Sequence, residues 1–312
     1  MDASRPVASF EFRPEGPYSL GTSTAFLEGF EPAAYEGARD GHLHLAFVVD
    51  GTERAVGACV RDDAGNGTRI LVDVYGDGDG LHDAVSSQVA RVLSLDVDGT
   101  GFPAVGERDP VISDLQRVYP GLRPVGFFSP YEAAAWALIG NRIRIVQAAR
   151  VKARMAEQLG RMVDIHGDHR YAFPGPSALT SLDAFPGLTD RKVDYLRHLG
   201  HAARDGKLDP FDLRSRPMGE ALDHLKTLRG IGDFSAELIL LRGACIPDGL
   251  PRHESRLARA VADVYGLDEP PDQARLERIA APWRPYRTWV SVLLRTHLES
   301  RTNEIATGRR TG

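Results

Sequence analysis

The first hundred residues carry short apolar segments of the length and composition typical of β-strands. Segments 42–49 (HLHLAFVV) and 54–60 (RAVGACV) flank an Asp-Gly pair at 50–51, which is a common hairpin turn. A third such segment covers 68–75, and a helix is expected near 81–95. This order predicts an antiparallel sheet that is covered by one helix.

From about residue 110 the apolar positions follow a helical spacing instead. The sequence Ser-Pro-Tyr-Glu at 129–132 is a capping box with proline at the first helical position, so a helix is expected to begin there and to end at 140–141. A polar turn region is expected at 164–176. Further helices are predicted at 143–159, 177–183, 189–204, 217–227, 234–243, 254–264, 273–280 and 285–299.

These patterns predict an α+β fold with two units. An N-terminal antiparallel sheet domain with its helix is expected at residues 1–108, and a mostly helical domain is expected at 109–302. Residues 303–312 are expected to form a frayed tail. A chain of 312 residues is long enough for this division.

The composition argues against several classes of protein. No apolar run reaches the roughly 18 residues of a membrane-spanning helix, and the start MDASRPVASFEF lacks the apolar core of a secretory signal. Cys59 and Cys245 are the only cysteines, too few for a four-iron cluster or a four-cysteine zinc site. We therefore expect a cytoplasmic protein with no disulfide scaffold and no cofactor or metal in its chemistry.

The charge of the chain is unevenly distributed, although its net value is only −5. Residues 1–120 hold 9 arginines, no lysine and 20 acidic residues, a net −11. Residues 121–312 hold 29 basic and 23 acidic residues, a net +6. Any contact with nucleic-acid phosphates is therefore expected in the second part, although an acidic domain beside a neutral one would give the same counts.

A Gly-x-Gly turn joins two predicted helices within the segment 225–237 (LKTLRGIGDFSAE). Gly230 and Gly232 permit a tight turn and a close approach of the backbone to another surface. The helix that follows begins with outward-pointing N–H groups, which suit a DNA phosphate. Taken alone, the same turn also fits an ordinary helix-turn-helix corner.

The surrounding sequence resembles the helix-hairpin-helix DNA glycosylase superfamily, and in particular the 3-methyladenine DNA glycosylase II family. The likeness lies first in 228–243 (LRGIGDFSAELILLRG), 247–251 (PDGLP), Glu254 and 257–259 (LAR). It extends to Asp109-Pro110, 119–124 (YPGLRP), 130–132 (PYE), 283–287 (WRPYR) and the acidic α+β region, which resembles the family's N-terminal sheet domain. The resemblance implies the same fold for nearly the whole chain.

The resemblance implies that Glu254 is the catalytic carboxylate, at a position where the family usually has Asp. Cleavage of a glycosidic bond builds positive charge on the sugar, and a buried carboxylate stabilises that charge and directs water to it. From the residues alone, the favoured interpretation of Glu254 is a first-turn helix acid, and only the resemblance favours catalysis. Asp248 is the nearest alternative acid but matches a loop residue of the family, and His253 is expected to be an exposed loop residue.

Two further positions take their expected roles from the resemblance. Superfamily members that also cut the strand use a lysine where Phe234 stands, and an aromatic ring cannot form an imine, so the chain is expected to be monofunctional. The turn after the capped helix holds Asn141 and Arg142, where the family fills the hole left by a flipped base. Arg142 is then either the wedge or an ordinary surface arginine.

The damaged base requires a stacking pocket, because electron-rich rings attract a cationic alkylated base. The candidate rings, some of which are expected to be core residues only, are Phe127, Phe128, Tyr131, Trp136 and Phe234. Trp283, Tyr286 and Trp289 recur at helical spacing and are interpreted as core. The candidate DNA contacts are Asn141, Arg142, Lys226, Arg229, Gly230, Ile231, Gly232, Arg252 and Arg256.

The predicted function is therefore a DNA glycosylase for alkylated bases of the 3-methyladenine type, acting in base excision repair. We expect a monomer that binds damaged duplex DNA, is associated with the nucleoid and does not contact membranes. The resemblance also implies that an alkali cation can bind the hairpin carbonyls when DNA is present. Two alternatives remain: a protein of this fold that binds lesions without cutting, and a glycosylase for other damaged purines.

Overall fold

A computed structural model describes residues 5–28, 37, 40–63 and 69–302 of the chain. The predicted tail at 303–312 lies outside the described residues, as do the first four residues and short stretches near 29–39 and 64–68. Within the described part, no helix is both long enough and apolar enough to cross a membrane.

The N-terminal part contains a four-stranded antiparallel sheet in the order β1-β4-β3-β2. Its strands are β1 (Ala8–Phe12), β2 (Leu43–Val48), β3 (Ala55–Asp62) and β4 (Ile70–Gly76). Two helices accompany it, α1 (Leu20–Glu28) and α2 (His82–Val92). The three predicted strands and the predicted helix are confirmed, whereas β1 and α1 were not predicted.

Both faces of this sheet are covered. Alternate side chains of β2 and β3 point to opposite faces, so that Phe47 and Val56 join α2 in one apolar cluster while Ala46 and Cys59 lie in another. The second face packs against a hairpin of strands β5 (Arg161–Ile165) and β6 (Asp168–Ala172).

The expectation of a polar turn region at 164–176 is wrong over its first half, because β5 and β6 form this hairpin. A Cβ added at Gly57 would lie 2.6 Å from Cγ1 of Ile165. The absence of a side chain at Gly57 therefore lets Ile165 pack directly on the sheet. Val163 lies beside it in the same buried cluster. This tertiary contact favours strand structure in a segment whose own composition indicates a turn.

The rest of the chain is helical. The twelve labelled helices are α3 (Pro103–Arg108), α4 (Pro110–Val118), α5 (Pro130–Gly140), α6 (Ile145–Leu159), α7 (Pro176–Thr180), α8 (Asp190–Arg204), α9 (Pro210–Ser215), α10 (Met218–Lys226), α11 (Asp233–Leu238), α12 (Ser255–Tyr265), α13 (Gln273–Ile279) and α14 (Arg287–Thr302). A π-helical turn at Ile239–Gly243 continues α11, and a short 3₁₀ turn covers Ala281–Trp283. The helices predicted from the spacing of apolar residues are all present.

Local signals explain where several helices begin. The Ser129 hydroxyl accepts a hydrogen bond from the Glu132 amide at 3.0 Å, as the capping box predicts, and α5 ends at Gly140. Asp109 caps α4 through the Val111 amide at 3.1 Å. These caps depend on residues within three positions of the helix start, which explains why they can be predicted from sequence.

The helices pack around two separate apolar cores. One core contains α5, α6, α8, α10 and α11, and the other contains α3, α4, α12 and α14 with Trp283 fully buried among them. Asp109 accepts hydrogen bonds there from the Tyr265 hydroxyl and the Trp283 indole. Tyr286 and Trp289 are buried in the same core, as expected. The loop at 244–254 joins the two cores.

The domain boundary at 108/109 stays a prediction. Phe102 and Val105 precede that boundary but belong to the core that holds α12 and α14. Helix α3 therefore packs with the helical part rather than with the sheet.

Candidate active site and nucleic-acid interface

The predicted hairpin is the turn between α10 and α11, and its two glycines differ in their surroundings. Gly230 has φ +81°, in the left-handed region, and a Cβ there would lie 2.5 Å from Cδ2 of Tyr195. Gly232 has an extended backbone, and a Cβ there would meet nothing within 4 Å. Internal packing therefore requires Gly230, whereas Gly232 faces open space at the start of α11.

The basic residues of the hairpin have acidic neighbours. Lys226 Nζ lies 3.0 Å from Asp223 Oδ1 and 3.3 Å from Asp233 Oδ1, and its hydrogen bonds to Asp223 and then Asp233 raise the pKa of Lys226. Arg229 is more exposed, with its guanidinium 3.6 Å from Asp194. Arg229 is therefore the more accessible cation of the two. Ile231 between the glycines is buried and anchors the turn in the core.

The start of α11 has no capping side chain, because its N-cap residue is Gly232. Helix N-termini present N–H groups that bind anions. The continuous helical segment from Asp233 through the π-helical turn ends at Gly243. The hairpin thus combines an accessible backbone at Gly232, an uncapped helix start and the exposed Arg229.

Glu254 is the N-cap residue of α12, and two groups hold its carboxylate. Oε1 accepts from the Arg256 amide at 3.2 Å, and Oε2 lies 2.7 Å from Nη1 of Arg295 on α14. The Glu254 side chain is half-buried, with 19% of its surface exposed. It is therefore the helix-start acid that one interpretation of the sequence expected, and its oriented carboxylate is also compatible with the catalytic interpretation.

A second, buried acid connects the loop before Glu254 to the hairpin. Glu237 on α11 accepts hydrogen bonds from the backbone amide and the ring of His253, both at 3.0 Å. His253 is exposed, as expected, but its contact with Glu237 was not predicted. The available signal was an acidic residue within the apolar run 236–241, at a position that the structure shows to be buried.

Phe234 lies in the first turn of α11, three residues before Glu237 and therefore on the same side of the helix. The residue is 45% exposed, which is unusual for a large apolar residue. Helix α11 thus carries the exposed ring of Phe234 in its first turn and, through Glu237 one turn later, contacts the loop that precedes Glu254.

The other candidate aromatic residues lie deeper. Phe127, Tyr131 and Trp136 are buried in the core that contains the hairpin, and the Tyr131 hydroxyl donates to the Pro174 carbonyl at 2.9 Å. Phe128 is half-buried and packs on Phe47, with ring centroids 5.5 Å apart. These contacts are those of core residues, and a role for the four rings in base binding stays a prediction.

The turn after α5 presents Asn141 and Arg142 to solvent. Arg142 has φ +58°, a left-handed conformation that is uncommon for arginine. Its role as a wedge stays a prediction, and the unusual backbone shows only that this turn is sharp and exposed.

The remaining charged candidates are paired within the protein. Arg252 lies 3.1 Å from Glu277, and Arg256 contributes its amide to the cap of α12. Asp248 lies 2.7 Å from Nε of Arg287 on α14, so it secures the loop at 244–254. This pairing agrees with the interpretation of Asp248 as structural.

Comparison with curated proteins finds several glycosylases at modest identity. The chain is 22% identical to a DNA-3-methyladenine glycosylase of Bacillus subtilis over 73% of its length and 78% of the relative's. It is 27% identical to DNA-3-methyladenine glycosylase 2 of Escherichia coli, over 88% of the chain and 92% of the relative. A Mycobacterium tuberculosis protein described as a probable bifunctional transcriptional activator and DNA repair enzyme is 29% identical over 96% of the chain, which spans only 62% of that relative. No family model matches.

Solved structures share the fold. A 3-methyladenine DNA-glycosylase from Archaeoglobus fulgidus superposes with a TM-score of 0.77 at 21% identity, over 94% of this chain and 98% of the other. An 8-oxoguanine glycosylase/lyase of Clostridium acetobutylicum, in complex with double-stranded DNA, gives a TM-score of 0.65 at 14% identity, over 94% and 98% of the two chains.

The hairpin, the acid at the start of α12 and these likenesses define a protein with the helix-hairpin-helix DNA glycosylase fold. In sequence, the chain is similar to proteins named DNA-3-methyladenine glycosylase and DNA-3-methyladenine glycosylase 2.

Proposed function

We propose that this protein is a monofunctional DNA glycosylase that flips alkylated bases of the 3-methyladenine type out of duplex DNA and hydrolyses their glycosidic bonds. The observation that carries the proposal is the position of Glu254. Its carboxylate caps α12, and the preceding residue, His253, is hydrogen-bonded to Glu237 on the hairpin helix that exposes Phe234. The names of the curated relatives support the substrate class.

Glu254 supplies the electrostatic part of the reaction. As the bond between sugar and base lengthens, positive charge develops on the sugar, and a carboxylate beside it lowers the barrier. Water then attacks the sugar, the base leaves with the bonding electrons, and Glu254 orients the water and accepts its proton. Arg295 acts as a positioning residue because it holds Oε2 at 2.7 Å.

Phe234 has two roles in this proposal. Its exposed ring offers a stacking surface for the flipped base, to which a cationic alkylated base is attracted. The same side chain carries no amine, so no imine forms with the sugar and the product is an intact strand with an abasic site.

The hairpin binds the DNA backbone. Gly232, the uncapped start of α11 and Arg229 face the phosphates, and Arg142 fills the space of the flipped base. The acidic sheet domain faces away from the duplex. The protein acts as a monomer on damaged DNA of the nucleoid in the cytoplasm.

The test is to incubate the purified chain with duplex DNA treated with a methylating agent and to identify the released bases by mass spectrometry. Wild type is expected to release 3-methyladenine. Glu254→Gln keeps the shape but removes the charge, so release should fall by about two to three orders of magnitude while DNA binding persists. Glu269→Gln, at an exposed loop acid, is the matched control and should be unaffected.

Three results would change the proposal. Normal base release by Glu254→Gln would show that another residue supplies the catalytic carboxylate. Tight binding of lesions without release of any base by wild type would establish a lesion-binding protein instead. Release confined to deaminated or oxidised purines in a parallel panel of duplexes would keep the enzyme but replace its substrate.

A further inference from the structure

Five side chains with metal-binding atoms converge on the sheet domain, apart from the residues assigned to DNA. Asp40 and His42 precede β2, His44 lies within β2, and Cys59 lies opposite His44 on β3 as its cross-strand partner. His166 comes from the turn of the β5–β6 hairpin. One donor atom from each of the five lies within 4.8 Å of every other.

The separation of His42 Nδ1 and Cys59 Sγ matches that of two ligands of one metal ion, and the Asp40 carboxylate lies close to all three histidines. His42 Nδ1 lies 3.4 Å from Cys59 Sγ, and Asp40 Oδ2 lies 3.2 Å from His42 Nδ1. The same carboxylate oxygen lies 3.3 Å from His44 Nε2 and 3.7 Å from His166 Nδ1. Tetrahedral zinc with bonds of about 2.0–2.3 Å places neighbouring ligand atoms about 3.3–3.6 Å apart.

We propose that these side chains form a zinc site, in which the Cys59 thiolate and the imidazoles of His42, His44 and His166 bind the ion and the Asp40 carboxylate offsets its charge. Thiolate and imidazole are the ligands that zinc prefers, whereas Mg²⁺ and Ca²⁺ require oxygen ligands. A site with four protein ligands is structural, so it takes no part in base release.

The orientation of His44 is a second, independent observation. Its Nδ1 lies 2.7 Å from Asp168 Oδ2 on β6, and Asp168 also accepts from Arg170 Nε at 2.8 Å. This leaves Nε2 directed at the cluster. A carboxylate on the far nitrogen is the arrangement that orients metal-binding histidines. The His44 side chain is only 2% exposed, so its ring position is fixed by packing as well.

The site joins segments that are distant in sequence. Cys59 and His44 belong to the N-terminal sheet, whereas His166 belongs to the hairpin that follows α6. A zinc ion would therefore attach the hairpin to the face of the sheet that it covers. Metal binding stabilises the folded state because the unfolded chain does not hold the ligands together.

The test begins with wild type, from which metal is removed by a chelator and then restored. We expect one zinc per chain by plasma mass spectrometry and a higher melting temperature with zinc than without. Cobalt(II), used as a spectroscopic substitute, should give a tetrahedral spectrum with a thiolate-to-cobalt band. No substitution is needed for these measurements, so they decide the matter even where a variant does not fold.

Variants then assign the ligands. Cys59→Ser should lose the thiolate band, and His166→Ala should lose the zinc-dependent rise in melting temperature. Asp168→Asn should weaken zinc binding by about 10- to 100-fold, as expected for a residue that orients a ligand. His169→Ala is the matched control, because His169 is an exposed histidine of the same hairpin outside the cluster, and it should bind zinc as wild type does.

Two results would overturn the proposal. One is wild-type protein that takes up no stoichiometric zinc at micromolar concentrations and melts at the same temperature with and without the metal. The other is a thiolate–cobalt band that survives in Cys59→Ser. Base release is measured in parallel, and it should continue in the chelated protein at temperatures where that protein remains folded.

Discussion

The two hairpin glycines have different predicted roles, one in the stability of the fold and the other in DNA binding, and the two roles can be measured separately. The perturbation is a single methyl group, introduced by Gly230→Ala or by Gly232→Ala. The two positions are separated by one residue, so a general disturbance of the turn would affect both variants alike. The structure instead predicts that Gly230→Ala lowers the stability of the fold, whereas Gly232→Ala weakens DNA binding and leaves stability nearly unchanged.

At Gly230 the methyl group has no room and the backbone is unfavourable. The added Cβ would lie 2.5 Å from the Tyr195 ring and 2.8 Å from Leu138 Cδ2. Tyr195 is held by Arg191, whose Nε donates to the hydroxyl at 2.6 Å, so the ring cannot easily move away. A left-handed alanine costs about 1–2 kcal/mol and overpacking adds about 1–3 kcal/mol. Gly230→Ala should therefore lower the free energy of unfolding by roughly 2–5 kcal/mol.

At Gly232 the methyl group meets no protein atom within 4 Å, and the extended backbone suits alanine. Stability should therefore change by no more than about 0.5 kcal/mol. If a phosphate binds the N–H groups at the start of α11, however, the added methyl group would lie between the phosphate and those N–H groups. Loss of a hydrogen bond to a charged group costs about 1.5–3 kcal/mol, which corresponds to roughly 10- to 150-fold weaker binding.

Urea unfolding followed by tryptophan fluorescence measures stability, and fluorescence anisotropy with a labelled duplex measures affinity. Both variants are compared with wild type at one salt concentration, because binding to DNA depends strongly on salt. Binding of the duplex by Gly232→Ala as tight as that of wild type would contradict a phosphate contact at the start of α11. Wild-type stability of Gly230→Ala would contradict the requirement for glycine at that position.

Three further predictions concern the remaining site residues. DNA affinity should fall as the salt concentration rises, and Arg229→Gln should reduce the slope of log affinity against log salt by about one unit. Lys226→Gln should change that slope less, because Lys226 is already paired with Asp223 and Asp233. Equal slopes for wild type and both variants would contradict this prediction. Borohydride should trap no protein–DNA adduct and the product strand should stay intact on a denaturing gel, whereas a trapped adduct would reveal another amine as nucleophile. The side chain in Glu254→Asp is one methylene shorter and should lose its contact with Arg295, which should slow base release by about 10- to 100-fold. Unchanged or faster release would show that the cap of α12 alone positions the carboxylate.

Features that depend on neighbouring residues could be predicted from the sequence. The Ser129 cap, the helix end at Gly140 and the hairpin glycines each follow from a few adjacent positions. The β5–β6 hairpin could not be predicted in this way. Its packing depends on Gly57, which lies far from it in the sequence and leaves the space that Ile165 fills.

The same distinction holds for the sites. The roles proposed for Glu254 and Phe234 rest on their positions in a motif that resembles the glycosylase family. Arg295 and the bond between Glu237 and His253 instead involve partners from other elements. The proposed zinc ligands are a stronger example, because their cysteine and histidines come from two strands, a loop and a distant turn. A mixed set of ligands from such distant segments leaves no local pattern of spacing in the sequence.

The loop at 244–254 explains how a carboxylate can be held still at the boundary between two helical cores. Asp248 attaches the loop to Arg287 of α14, and Glu237 of α11 attaches it through His253. Glu254 itself is held by α12 and by Arg295 of α14. Both cores therefore help to hold the Glu254 carboxylate in place, and one of them includes the hairpin proposed to bind DNA. Electrostatic catalysis benefits most from groups that need not reorganise during the reaction. The hairpin proposed to bind the duplex and the acid proposed to act on the sugar thus belong to one continuous set of contacts.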